Sequence, residues 1–299
     1  MKLEALIVGS AAGGGLPQWN CACRLCRLAR AGDPSVEPRS EACVAVSADH
    51  QHWLLVGASP DLHQQVSENP VLHPAGDGRG SPIFGVLLIS ADIDGIGGLL
   101  VLREQQPLQI FAPRAILQVL EDNSVFGVLD PTIVKRIVVR ESQPFDCGFG
   151  LTSTLLPMPG KVPLYAEDPL AAEPASGEAY AALVEHEGRS ILIAPACAEI
   201  NQSVRETLGR GDIVLFDGTF FTDHEMIEGG LGKKSSRRMG HVPIEGPDGS
   251  LSRLADLPGR RIYFHINNTN PILLNDSPER RRVEGAGFEV AYDGMELRL

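Results

Sequence analysis

The feature that most constrains this chain is a repeated alternation of short branched-aliphatic runs, turn residues and helical stretches, in two successive series. In the first series, residues 3–8, 43–47, 52–56 and 86–89 have the Val, Ile and Leu density of strands, and helices are expected over 60–69, 96–103 and 114–121. In the second, strands are expected at 151–156, 182–186, 190–194, 213–217, 261–265 and 288–290, with helices at 201–209, 251–255 and 278–285. Interleaving of this kind defines an α/β protein, and two strand-rich halves of similar size fit a sheet-on-sheet sandwich covered by helices. Two stretches break the pattern: 167–179, rich in Ala, Pro, Glu and Ser, and 229–247, rich in Gly, Lys, Arg and Ser. Both are expected as surface loops. With no internal repeat and no linker-like stretch, residues 1–299 are expected to form a single domain, and 43% hydrophobic content is enough for a substantial core.

The formal net charge of −12 repels polyanions, and the dense basic stretch, Lys233, Lys234, Arg237 and Arg238, sits inside a Gly/Ser-rich loop. Nucleic acid is therefore not an expected partner. No apolar run approaches the roughly 20 residues that span a bilayer, and the chain starts into strand-like sequence without a basic leader. A cytoplasmic protein with no membrane partner is expected, and association into a homodimer is left open.

Of the six cysteines, Cys21, Cys23 and Cys26 crowd together while Cys43, Cys147 and Cys197 are scattered among apolar neighbours. The scattered ones read as small buried hydrophobes. The cluster offers three thiolates within one turn of chain, with Arg24 and Arg27 interposed, a poor core segment but a good set of soft ligands for a tetrahedral structural Zn2+. Its fourth ligand must come from distant sequence, and the candidates are His265, the side-chain amide of Asn268, His241 or a water. A redox pair is the competing reading, since Cys23 and Cys26 have CxxC spacing.

A second constellation follows the apolar run at 86–89, where Asp92 and Asp94 leave the strand end ahead of Gly95. Alternate residues of an extended segment share a face, so both carboxylates can reach one metal of the kind that takes oxygen ligands. The competing reading of Asp94 is a helix N-cap.

Six segments in order, IVGSAAGGGLPQWNC at 7–21, ASPD at 58–61, PGKVPL at 159–164, FDGT at 216–219, RMGH at 238–241 and HINNTNP at 265–271, resemble the pyrroloquinoline quinone biosynthesis protein B family along nearly the whole chain. The resemblance implies a metallo-β-lactamase fold, a four-layer αββα sandwich with a metal site at one sheet edge and a separate zinc knuckle. It implies that Asp92, Asp94 and His265 bind iron, that Asp217 corresponds to the superfamily's bridging aspartate, and that His241 serves beside the metal or in proton transfer. Gly95 stands where the family's turn has a histidine, and Lys161 where hydrolytic relatives have one, so the imidazole count is lower than in a two-zinc hydrolase.

The expected function is therefore an iron-dependent oxygenase of cofactor biosynthesis, hydroxylating the tyrosine ring of a Glu-Tyr derived intermediate, with Fe2+ as active-site cofactor and a small acidic peptide-derived or quinone-precursor ligand. The competing readings are a carrier for the quinone or its precursor, supported by Gly95, and a metal-dependent hydrolase.

Overall fold

The structure is a computed structural model describing residues 2–167 and 179–299. Its strands in chain order are β1 (Glu4–Gly9), β2 (Cys43–Ser47), β3 (Trp53–Val56), β4 (Ile83–Leu87), β5 (Leu108–Ala112), β6 (Val134–Val138), β7 (Phe145–Gly148), β8 (Leu151–Met158), β9 (Ala179–His186), β10 (Arg189–Ala194), β11 (Ile213–Asp217), β12 (Arg260–Phe264), β13 (Phe288–Val290) and β14 (Met295–Arg298). They form two seven-stranded sheets, ordered β14-β1-β2-β3-β4-β5-β6 and β13-β12-β11-β10-β9-β8-β7. Each sheet is mixed. The steps β3 to β6 and β10 to β13 are parallel and the others antiparallel.

The period-2 geometry of strands explains why the second sheet reads as nearly continuous apolar runs. Tyr180, Ala182, Val184, Ile191, Ile193, Ile213, Leu215, Ile262 and Phe264 face inward and join the core shared with the first sheet. Their neighbours Ala181, Leu183, Leu192, Ala194, Val214, Phe216 and Tyr263 face outward, into a second apolar layer with helices α1 (Arg24–Arg30), α5 (Gln202–Leu208) and α8 (Pro278–Gly285). The remaining helices are α2 (Leu62–Glu68), α3 (Ile93–Ile96), α4 (Arg114–Asp122), α6 (Glu225–Glu228) and α7 (Ser250–Arg253). Cys43, Cys147 and Cys197 are buried, as expected of small hydrophobes. No described helix is long and apolar enough to cross a membrane.

The structure adds elements that the aliphatic pattern does not announce. Strand β6 carries Lys135 and Arg136 at the end of its sheet, β7 contains Asp146 and Gly148, and β14 alternates buried Met295 and Leu297 with exposed Glu296 and Arg298. Strand β5 and helix α1 are also additional. The helix expected over 96–103 begins earlier, as α3, and passes into a 3-10 turn at Gly97–Leu100. Gly98 explains the change: a Cβ there would stand 2.2 Å from the Ser59 carbonyl oxygen, so the chain turns tightly against its neighbour. Of the loop expected at 167–179, residues 168–178 lie outside the described residues; most of 229–247 is irregular, with one 3-10 turn at Arg237–Met239.

A zinc knuckle and a candidate metal cavity

The chain leaving β1 runs beside the end of β12, where Ala11 bridges both Glu41 and Ile266, and then delivers the cysteines to α1. Cys23 caps that helix, its sulfur accepting the Cys26 N–H at 3.4 Å. One ligand atom each from Cys21, Cys23 and Cys26 lie within 4.8 Å of one another. Asn268 turns its amide onto them, with Nδ2 3.1 Å from Cys26 Sγ and 3.8 Å from Cys23 Sγ. Amide N and O are interchangeable by a half-turn, which would present Oδ1 to the same sulfurs. Burial pushes the Cys23 thiol up to about 11, and the neighbouring Cys26 and Cys21 thiols add to this. A thiol held up in this way is a poor redox nucleophile. The donor chemistry fits a structural zinc. Two of the fourth-ligand candidates, His241 and His265, belong to a different cluster, which leaves Asn268 as the protein group beside the sulfurs.

That different cluster lies at the C-terminal ends of parallel strands, where open α/β sheets place their ligands. Asp217 ends β11, His265 follows β12, and His241 comes from the Gly/Ser-rich loop; one ligand atom from each lies within 4.8 Å of the others. Asp217 is fully buried and saturated: Oδ2 accepts from Cys197 N–H (2.9 Å) and His241 Nδ1 (2.9 Å), and Oδ1 accepts from Thr219 N–H (3.1 Å) and Thr219 Oγ1 (2.7 Å). Thr219 Oγ1 also lies 3.0 Å from His265 Nδ1 and 3.1 Å from His241 Nδ1. A hydroxyl that donates to Asp217 must accept from the imidazoles, so the network assigns protons to Nδ1 and leaves Nε2 of both rings for the cavity. The two rings stack, with centroids 5.5 Å apart. Burial drives His265 down to about 4, with nearby His241 adding to the shift, so this ring is neutral at physiological pH, the form that binds metals. His265 is also held at φ +58°, a left-handed conformation costly for a non-glycine residue and concentrated at functional sites.

The cavity itself is about 550 Å³. Asp92 and Asp94, from the end of the first sheet, line it opposite the two histidines of the second. Asp94 is the first-turn acid of α3 and is pushed upward by burial, a penalty that His241 and Lys161 partly offset; Asp92 is the residue at the N-cap, with no side-chain cap bond. Gly13 makes room for Asp94, since a Cβ there would stand 2.4 Å from its Oδ2. Asp92, Asp94 and His265 thus share one cavity, but the compact three-residue grouping among the described residues is Asp217, His241 and His265. Asp217 touches the cavity chemistry through His241 rather than directly. Sequence reasoning missed Thr219, whose hydroxyl joins the two imidazoles, and Tyr165, whose OH donates to Ala91 O at 3.0 Å on the cavity wall.

Two packed mixed sheets with His and Asp gathered at one end define the β-lactamase superfamily, whose domain model matches residues 52–266. The fold is the metallo-β-lactamase fold. Within it, the chain belongs to the coenzyme PQQ synthesis protein B family: it is 48% identical over 299 residues to that protein from Methylobacterium nodulans, covering 99% of this chain and 100% of the relative. The crystal structure of Zn2+-bound PqqB from Methylobacterium extorquens superposes with a TM-score of 0.96 at 45% identity, covering 99% of this chain and 100% of the other. A diphosphatase of the PhnP family shares the fold, with a TM-score of 0.71 at 18% identity over 100% of this chain and 98% of the other.

Proposed function

We propose that this protein acts in the synthesis of coenzyme PQQ by hydroxylating the tyrosine ring of a Glu-Tyr derived intermediate, using one Fe2+ in the cavity and molecular oxygen. Family membership supports the pathway. The observation that carries the reaction is the donor set, two histidines with Nε2 available to the cavity and Asp92 and Asp94 on the facing wall. Two imidazoles and a carboxylate, with other positions open, suit the Fe(II) of oxygenases. Bound iron would supply the reduction of oxygen and the transfer of one oxygen atom to the ring.

The chain's own residues do the rest. Asp217 and Thr219 fix the tautomer and plane of His241 and His265, as outer partners of metal-bound histidines do. Asp92 and Asp94 provide carboxylate, and the apolar Ile89, Ile193, Phe220 and Phe264 line the space in which a phenol ring would sit. One oxygen atom enters the ring and the other leaves as water, with two electrons and two protons taken from an external reductant of the ascorbate class.

The test is anaerobic reconstitution with Fe2+, followed by oxygen, ascorbate and a Glu-Tyr peptide, with mass spectrometry for the added oxygen atom. The expected result is about one iron per chain beyond the zinc and a dihydroxyphenyl product. Protein that binds no iron under these conditions refutes the reading. Peptide binding without product, unchanged by Asp92→Asn with Asp94→Asn, would instead support a carrier.

A further inference from the structure

The cavity wall carries a second cluster of charge to which the proposed chemistry gives no role. Lys161 and Lys234, which are 73 positions apart by the difference of their numbers, both line the cavity. Their ammonium groups close on one carboxylate, Lys161 on Glu167 Oε1 and Lys234 on Glu167 Oε2. The Glu167 side chain is 8% exposed, against 20% for Lys161 and 39% for Lys234, so the carboxylate is enclosed while the cations keep an open side. Each ammonium has three N–H donors, and one bond to Glu167 leaves the others unspent on that partner. The two cations and Glu167 together carry a single net positive charge, part of whose field already acts on Asp94 and which attracts a further carboxylate. Without Glu167 the two like charges would separate. Gly240, at φ +85°, lets the backbone lie against the Lys161 stem, because a Cβ there would stand 3.0 Å from Lys161 Cγ.

We propose that Lys161 and Lys234, held together by Glu167, form the carboxylate subsite of this cavity and seat one carboxylate of the substrate while its ring reaches toward His241 and His265. The inference deepens the reading above, since it takes this cavity as the substrate site. It names the substrate class as a carboxylate-bearing aromatic, and it makes Lys161 and Lys234 determinants of specificity with Glu167 as their positioning residue. A charge-assisted hydrogen bond on a partly exposed lysine corresponds to roughly tenfold in affinity.

The experiment uses the purified protein with its metals and a matched pair of probes, 4-hydroxyphenylpropionate and its neutral amide, with binding followed by calorimetry or ligand-observed NMR. Wild type is expected to prefer the acid. Lys161→Met and Lys234→Met are each expected to weaken the acid roughly tenfold and leave the amide unchanged, and Lys→Arg at either position to retain most of the preference. Lys234→Met, on the more exposed side chain, carries the test if Lys161→Met does not fold. An acid preference that survives both Met variants would place the carboxylate on the metal, and equal binding of acid and amide to wild type would remove the subsite; either overturns the proposal. Turnover is not read here. Failure to hydroxylate alongside a lysine-dependent acid preference refutes the oxygenase reading alone.

Discussion

Replacing Asp217 with Asn is the most incisive perturbation, because it keeps the shape of a fully buried side chain and changes only what its oxygens can accept. The carboxylate takes hydrogen bonds from two backbone groups, Cys197 N–H at 2.9 Å and Thr219 N–H at 3.1 Å, one on each oxygen. An amide has one oxygen. Whichever way it is turned, its NH2 meets one of those N–H donors and leaves it buried without a partner. That costs about 1–3 kcal/mol. In one orientation the NH2 also faces His241 Nδ1, which must then give up its proton to Nε2 and lose the lone pair that a metal needs. In the other, His241 keeps a neutral acceptor in place of a charged one. Metal affinity at the cavity should fall roughly 10–100-fold, as for loss of other outer partners of ligating histidines. Urea unfolding of protein carrying only the knuckle zinc reads the first effect, and competition of Fe2+ against a chromophoric chelator reads the second. Stability and affinity both unchanged within about twofold in the equilibrium constant would refute the assigned network.

Other expectations follow from separate parts of the molecule. Glu225 is partly buried, and loss of solvent pushes it up to about 7 from its ordinary 4.5, so the stability linked to its protonated form is complete below about pH 4.5, declines as pH rises and is gone above about 7. The loss is about 3 kcal/mol, and Glu225→Gln should flatten the unfolding free energy between pH 5 and 8, leaving the slope of the same sign owed to Glu41, which burial also pushes up to about 7; an unchanged slope contradicts this. Cys26→Ser should lower zinc by one per chain on elemental analysis and reduce the melting temperature by several degrees, and should also weaken iron binding in the cavity. Arg39 is buried against Ser10 Oγ and the Ala291 carbonyl, near the partly buried Asp293, whose carboxylate accepts from Ser10 Oγ and from Ser40. Arg39→Ala should cost about 1–3 kcal/mol in urea unfolding by leaving the Ala291 carbonyl without its buried donor, and unchanged stability would contradict this.

What the sequence makes legible depends on how local the physical signal is. Three thiols in one turn of chain announce a zinc knuckle because zinc needs nothing more than those donors and one distant group. Strands such as β11 and β12 are legible because both of their faces are covered over 213–216 and 262–264, which are apolar without a break, whereas β14 exposes alternate side chains and β6 exposes Lys135 and Val138 at its sheet's edge, so both look like loops. Asp217 and His265 are visible as polar residues ending apolar runs. The pairing of His241 with them is not, since the loop that carries it is irregular and is placed by contacts such as Val242 N–H to Cys197 O at 2.7 Å. Thr219 had no distinguishing mark beyond its place beside Asp217, and the meeting of Lys161, Lys234 and Glu167 is a tertiary event with no local cause.

The segment at 265–270 joins the two centres and gives the knuckle a reason to lie where it does. His265 faces the cavity, and three residues on Asn268 faces the cysteine sulfurs, so one short piece of backbone serves both. Its left-handed turn at His265 is unfavourable in isolation and is held by backbone bonds around it: Ile266 N–H to Ser10 O, Ala12 N–H to Ile266 O and Asn267 N–H to Thr219 O. Asn270 closes the segment by donating to Gly218 O at 2.8 Å and accepting Ile272 N–H at 3.1 Å. Ser10 and Ala12 belong to the same N-terminal stretch that carries the cysteines, so a metal bound by Cys21, Cys23 and Cys26 beside Asn268 closes a ring of constraints around His265. A strained ligand stays in place only when its surroundings over-determine it. A zinc held there would need no contact with substrate to matter for the proposed reaction: it would act on the cavity by holding the backbone that aims an imidazole.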